Sequence, residues 1–92
     1  MSSLRYSRLI DLAREIVQYI LNNWSRYAFI DNPNCALVRI TAMLDGRIST
    51  PRDRATVINY VVQLLEEYGF RVEKRRHNFR SRKVTDLLIC RG

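Results

Sequence analysis

Glycine, proline, cysteine and histidine are all scarce: three, two, two and one among 92 residues. With glycine at only Gly46, Gly69 and Gly92, there is no glycine-rich loop to cradle phosphates. His77 and two cysteines fall short of the about four ligands that a tetrahedral zinc site needs. Cys35 and Cys90 match no metal spacing. They sit in the apolar stretches Asn34-Cys35-Ala36-Leu37 and Leu88-Ile89-Cys90, which predicts buried free thiols, with a 35–90 disulfide left open. No apolar run approaches the ~20 residues of a membrane span. The N-terminus lacks the charged, apolar and small-residue succession of a secretory signal, so the cytoplasm is the default expectation. Hydrolytic chemistry needs a nucleophile with a positioned base, paired carboxylates or a metal cluster. The nine acidic residues are scattered, and most read as helix-surface groups. No enzyme, cofactor or metal site is expected.

What the chain does have is one small domain's worth of residues, 1–92, with 47% apolar side chains, enough for a modest core. Its net charge of +7 is unevenly spread. Residues 1–69 carry eight basic and seven acidic side chains, whereas residues 70–92 carry eight basic and two acidic. Within that last quarter lies Lys74-Arg75-Arg76-His77-Asn78-Phe79-Arg80-Ser81-Arg82-Lys83, in which six of ten residues are Lys or Arg and none is acidic. Like charges so gathered repel one another unless a polyanion relieves them, so this segment predicts a nucleic-acid contact. Arginine outnumbers lysine fourteen to two. That bias suits bidentate phosphate binding, and equally a GC-rich genome or a hot habitat.

Apolar residues at three- and four-residue steps predict a first helix over about Leu4–Trp24, capped by Ser2 or Ser3. Tyr27–Ile30 reads as a short strand or an extended linker. Asn32 and Pro33 predict the start of a second helix over about Pro33–Leu44, with Leu37, Ile40 and Leu44 as its buried stripe. Asp45-Gly46 ends it. Thr50, Pro51 and Asp53 are a helix-start signature, predicting a third helix to about Tyr68 with Val57, Ile58, Val61, Leu64, Leu65 and Tyr68 inward. Gly69 supplies its left-handed exit. Phe70 to about Arg75 and Val84–Cys90 then read as an antiparallel strand pair, joined by the basic segment.

From Ala55-Thr56-Val57 through Leu65-Glu66-Glu67-Tyr68-Gly69-Phe70-Arg71-Val72 the sequence resembles the third helix and following strand of a winged helix-turn-helix domain. The matching residues cover about a fifth of the chain, and the motif is loosely specified. The resemblance implies an α+β fold: helix, short strand, two helices and a C-terminal β-hairpin wing. The stretch Asp45–Thr50 is longer than the tight turn of that family, which bears on how the third helix docks. The resemblance also implies that the third helix lies in a DNA major groove. Arg52, Thr56, Asn59 and Gln63 share its polar face, with Arg54 close by, and these residue types read base edges or phosphates. In the wing, Lys74, Arg75, Arg76, His77, Asn78, Arg80, Arg82 and Lys83 are the expected contacts, with phosphates or the minor groove as their target. Phe79 is placed to stack on an unpaired base or wedge at a base step, or to fold back onto the domain.

The expected function is therefore non-catalytic nucleic-acid binding, as a small winged-helix transcription regulator or chromatin-type protein. Duplex DNA is the first expected partner, and RNA or single strands the second. The alternative is an accessory subunit of a replication, transcription or ribosomal complex that docks proteins through the winged helix. A second apolar side of the first helix, with Leu12 and Tyr19, makes helix 4–24 the candidate surface for a homodimer or a larger complex.

Overall fold

The structure, a computed structural model, describes residues 2–91, with side chains from residue 7 onward. The proposed caps Ser2 and Ser3 and the Leu4 and Tyr6 side chains lie outside the described side chains. The first periodic stretch forms α1 (Ser2–Asn22) and buries Leu9, Ala13, Ile16, Val17 and Ile20 along one face. Asn23 closes it, its side-chain amide donating to the Tyr19 carbonyl at 2.8 Å. Tyr27–Ile30, read as a short strand or an extended linker, forms no named strand: Tyr27 ends one further helical turn, α2 (Trp24–Tyr27), and beyond it the extended Ala28 makes a single bridge to Ala36. Trp24 holds this turn in place. Its indole N–H donates to the Pro33 carbonyl at 2.8 Å, and its ring packs 5.4 Å from that of Phe70.

The expected helix over Pro33–Leu44 is not formed as such. Its first half is the strand β1 (Cys35–Val38), and only α3 (Ile40–Leu44) is helical. Ala36 and Val38 are buried while Cys35 and Leu37 are half-buried, a period of two that a helix cannot produce. The ladder decides the matter. β1 pairs antiparallel with the apolar Leu87–Cys90 segment, whose edge amides would otherwise be buried without partners. The thiols expected to be free are joined instead: Cys35 and Cys90 face each other across that ladder and form a disulfide.

Helix α4 (Pro51–Glu67) starts one residue after Thr50, with Pro51 as its first residue. Thr50 has extended dihedrals, φ −87° and ψ 133°, but its side chain makes no capping hydrogen bond. Val57, Ile58, Val61 and Leu65 are buried, and Leu64 packs partly against the same core. Tyr68, expected inside, stays 58% exposed, because the helix has already ended there. Its hydroxyl accepts from Gln18 at 3.3 Å. Gly69 takes φ +96°, a left-handed conformation that turns the chain into the sheet.

The hairpin is longer than its sequence pattern suggested. β2 (Phe70–Phe79) and β3 (Arg82–Arg91) pair without interruption down to Phe79 opposite Arg82. Only Arg80 and Ser81 form the turn, both at positive φ (52° and 63°). Two left-handed central residues match the right-handed twist of the flanking strands, which is why a two-residue connection suffices. The sheet order is β1-β3-β2, all antiparallel. Val38, Leu87 and Ile89 join α1, α3 and α4 in one hydrophobic cluster. The fold is thus α+β, with helices packed on a three-stranded antiparallel sheet. No described helix is long and apolar enough to cross a membrane.

Candidate nucleic-acid interface

β1 pairs only with residues 87–90 of β3, so the distal half of the β2–β3 ribbon runs on past it. Side chains alternate across the ribbon, and residues opposite each other share a face. On the face towards the helices, Phe70, Val72, Leu87 and Ile89 pack at the core end. Beyond them the same face carries Lys74, Arg76, Asn78, Lys83 and Thr85. The switch from apolar to basic along one face follows from where the core stops.

This basic stretch stands across from the first half of α4. Between them lies a groove of about 590 Å³, walled by Pro51, Ala55, Ile58 and Asn59 on the helix side. Five cations line it, namely Arg54, Lys74, Arg76, Arg82 and Lys83, and no acidic residue does. Lys74 donates to Asn59 Oδ1 at 3.0 Å, joining ribbon to helix. Arg76 and Lys83 make no ion pair among the described residues. Two of the five cations are ion-paired. Arg54 Nε donates to the Ile48 carbonyl at 2.7 Å, and its Nη2 lies 3.5 Å from Asp45. Arg82 also reaches Asp45. One carboxylate therefore ties the longer α3–α4 link to both the helix start and the wing.

The remaining sequence-predicted residues do not all converge. Arg52 is exposed on the outward face of α4, and Thr56 spends its hydroxyl on the Arg52 carbonyl at 3.0 Å. Gln63 lies beside Ile10, Tyr60 and Glu67, on the α1 side and away from the groove. Arg80 sits at the turn with its guanidinium 5.3 Å from the Phe79 ring centre. Arg75, His77 and Phe79 occupy the opposite, outer face of the ribbon. Arg75 pairs loosely with Glu73 at 3.7 Å. Phe79 remains 55% exposed and does not fold back onto the core.

His77, which had no evident partner in sequence, has one across the ladder: its Nε2 lies 3.0 Å from Asp86 Oδ2. Asp86 is directly opposite Arg75, so His77 reaches it diagonally. Thr41 was hidden in the same way. It sits where β1 has ended and takes over the edge of β3, its hydroxyl accepting from the Thr85 N–H at 2.8 Å. Asp45, Thr41 and Asp86 become visible only once the hairpin register is known. Among the described residues no group of His, Cys, Asp and Glu is placed to hold a metal ion. On the other side of the molecule the large exposed apolar groups are Tyr19 on α1 and Phe29 and Ile30 in the loop after α2. The Leu12 side is half-buried against the core.

Comparison of the chain with protein-family models, with curated proteins and with solved structures finds no match.

Proposed function

We propose that this protein binds nucleic acid without catalysis, as a winged-helix DNA-binding protein that holds duplex DNA between α4 and the β2–β3 wing. The observation that carries the reading is the acid-free groove with its five cations beside the outward face of α4. Such a surface exchanges condensed counterions for its own charges, which makes binding strong at low salt and steeply salt-dependent. Apart from the single extra turn α2, the succession of helix, strand, two helices and hairpin, with β1 completing the hairpin's sheet, supports the winged-helix assignment. Arg52 and Asn59 would face base edges, while Lys74, Arg76 and Lys83 take phosphates.

The test is a salt series on a fluorescent duplex with wild type and a Lys74→Ala, Arg76→Ala, Lys83→Ala variant. Arg54 and Arg82 are left intact because they hold the α3–α4 link. Losing three phosphate contacts should flatten the log–log slope by about 2.7. Equal slopes would remove the groove from the interface.

The accessory-subunit reading draws on a different observation. Ile30 is fully solvent-exposed (104%) and Phe29 is 38% exposed, in a loop remote from the groove. A cytoplasmic setting fits the Cys35–Cys90 disulfide only where intracellular disulfides persist, as they do in hyperthermophiles.

A further inference from the structure

The outer face of the wing carries a second depression, of different chemistry from the groove. It measures about 240 Å³ and lies between α3 and the ribbon. Its α3 wall is built by Arg39 and Ala42, and its ribbon wall by His77, Phe79, Val84 and Asp86. Arg82 and Thr41 border both depressions, so the groove leads into the cleft past one guanidinium.

Charge separates the two. The groove is lined by cations alone, whereas the cleft balances Arg39 and Arg82 against Asp45 and Asp86. A phosphate-rich backbone suits the first and a neutral polar group the second. Phe79 is 55% exposed on the ribbon wall; the Arg80 guanidinium stands over one face of its ring, which leaves the other for a flat group to stack on. The His77 ring stands on the same strand face two residues away, fixed by its contact to Asp86 Oδ2. Asp86 Oδ1 makes no hydrogen bond among the described residues, although the side chain is only 14% exposed. That oxygen can accept from an N–H group brought into the cleft. Arg39 is exposed and makes no ion pair among the described residues, and so can neutralise a phosphate at the rim. The volume is below the roughly 300 Å³ at which drug-sized pockets begin, which limits the occupant to about one base.

We propose that this cleft receives one unpaired, amino-bearing nucleobase, adenine, cytosine or guanine, from a strand whose backbone lies in the groove. The base stacks on Phe79, its exocyclic amine donates to Asp86 Oδ1, and its phosphate meets Arg39. The proposal rests on the groove reading and extends it from paired DNA to DNA with an exposed base.

The test uses oligonucleotides carrying one 2-aminopurine among thymines, whose emission changes when its ring stacks. The same probe is offered as a single strand, as a bulge in a duplex, and fully paired. Binding should quench the single-stranded and bulged probes but leave the paired one unchanged. Phe79→Ala should weaken the single-stranded and bulged forms roughly five- to 150-fold, while a fully paired duplex is held as before. Arg39→Ala should act in the same direction, and replacing the 2-aminopurine by thymine should cost wild type most of its preference for the bulge. Unchanged emission alongside salt-dependent duplex binding would overturn the cleft and leave the groove standing. No binding of any of the three would overturn both. Free adenosine 5′-monophosphate, titrated alone, separates the sources: binding as tight as the strand's would assign the cleft to a nucleotide and refute the strand proposal.

Discussion

Removing the Cys35–Cys90 disulfide should cost this protein a large part of its stability. The bond links residues 55 positions apart in sequence and directly opposite in the β1–β3 ladder. In the chain-entropy treatment, opening a loop of that length returns roughly 14 cal/mol/K to the unfolded chain, or about 4 kcal/mol at 25 °C. Small domains hold only about 5–15 kcal/mol in total, so the loss is a major fraction. At about 4–8 °C per kcal/mol for this size, the melting temperature should fall by about 15–30 °C. The fold itself should survive, because Ala36 and Val38 remain buried and β1 keeps its ladder. The assay is thermal unfolding by circular dichroism of oxidised wild type, wild type with a phosphine reductant, and a Cys35→Ala, Cys90→Ala variant. The last two should melt together, well below the first. A drop of less than about 5 °C would refute the argument, as would a reduced wild type that melts with the oxidised form after alkylation has shown its thiols to be free.

Three other expectations follow from individual contacts. Thr41→Val should destabilise by roughly 1–3 kcal/mol in urea unfolding, since it strips the Thr85 N–H of its acceptor in a part-buried place, while Thr41→Ser should recover most of the loss. Replacing Arg80-Ser81 by Asn-Gly should stabilise the hairpin by about 1 kcal/mol, because both positions have positive φ and neither present residue favours it; an unchanged urea midpoint would argue against that turn geometry. Burial, reinforced by the neighbouring Tyr19, holds the Tyr27 hydroxyl above its ordinary value of 10.0. The folded state then keeps a proton that the unfolded chain releases first, so stability should decline as pH climbs past 10. Tyr27→Phe should remove that part of the decline in urea midpoints measured from pH 9 to 11.

The long elements could be read from sequence because a single periodicity dominates each of them. α1 and α4 bury residues spaced three and four apart, and Gly69 turns left-handed where the pattern placed it. Residues 33–44 misled for a physical reason. Asn32 and Pro33 suit a helix start, and Leu37, Ile40 and Leu44 have helical spacing, yet the edge of β3 needs a partner that lies far away in sequence. Only the ladder reveals that Ala36 and Val38 are the inward pair. The basic segment was recognisable as charge but not as geometry. Read as a loop, its residues form one patch; paired to the tip, they divide between two faces by parity alone. That division places Lys74, Arg76 and Lys83 in the groove and His77 and Phe79 outside it. Asp86 sits among apolar strand residues in the sequence and shows its role only through the cross-strand register.

The placement of the wing's charge explains why the fold can tolerate it. Lys74 stands in the last row that β1 flanks, and Arg76 and Lys83 lie beyond it, so repulsion among the three falls mainly on the distal hairpin and spares the core. Two of the cations, Arg54 on α4 and Arg82 near the tip of the ribbon, share Asp45 and are thereby turned into ties between wing, link and helix. Lys74, Arg76 and Lys83, which make no ion pair among the described residues, are exposed, and water and salt screen them at little cost. A polyanion entering the groove would relieve that repulsion and draw the ribbon towards α4 along the bond already present between Lys74 and Asn59. Binding should therefore order the distal ribbon. Amide exchange of residues 75–79 and 82–86 should slow in the presence of duplex DNA while that of α1 stays as it was. Equal protection with and without DNA would mean that the ribbon is rigid beforehand and that its charges are held apart by the fold alone.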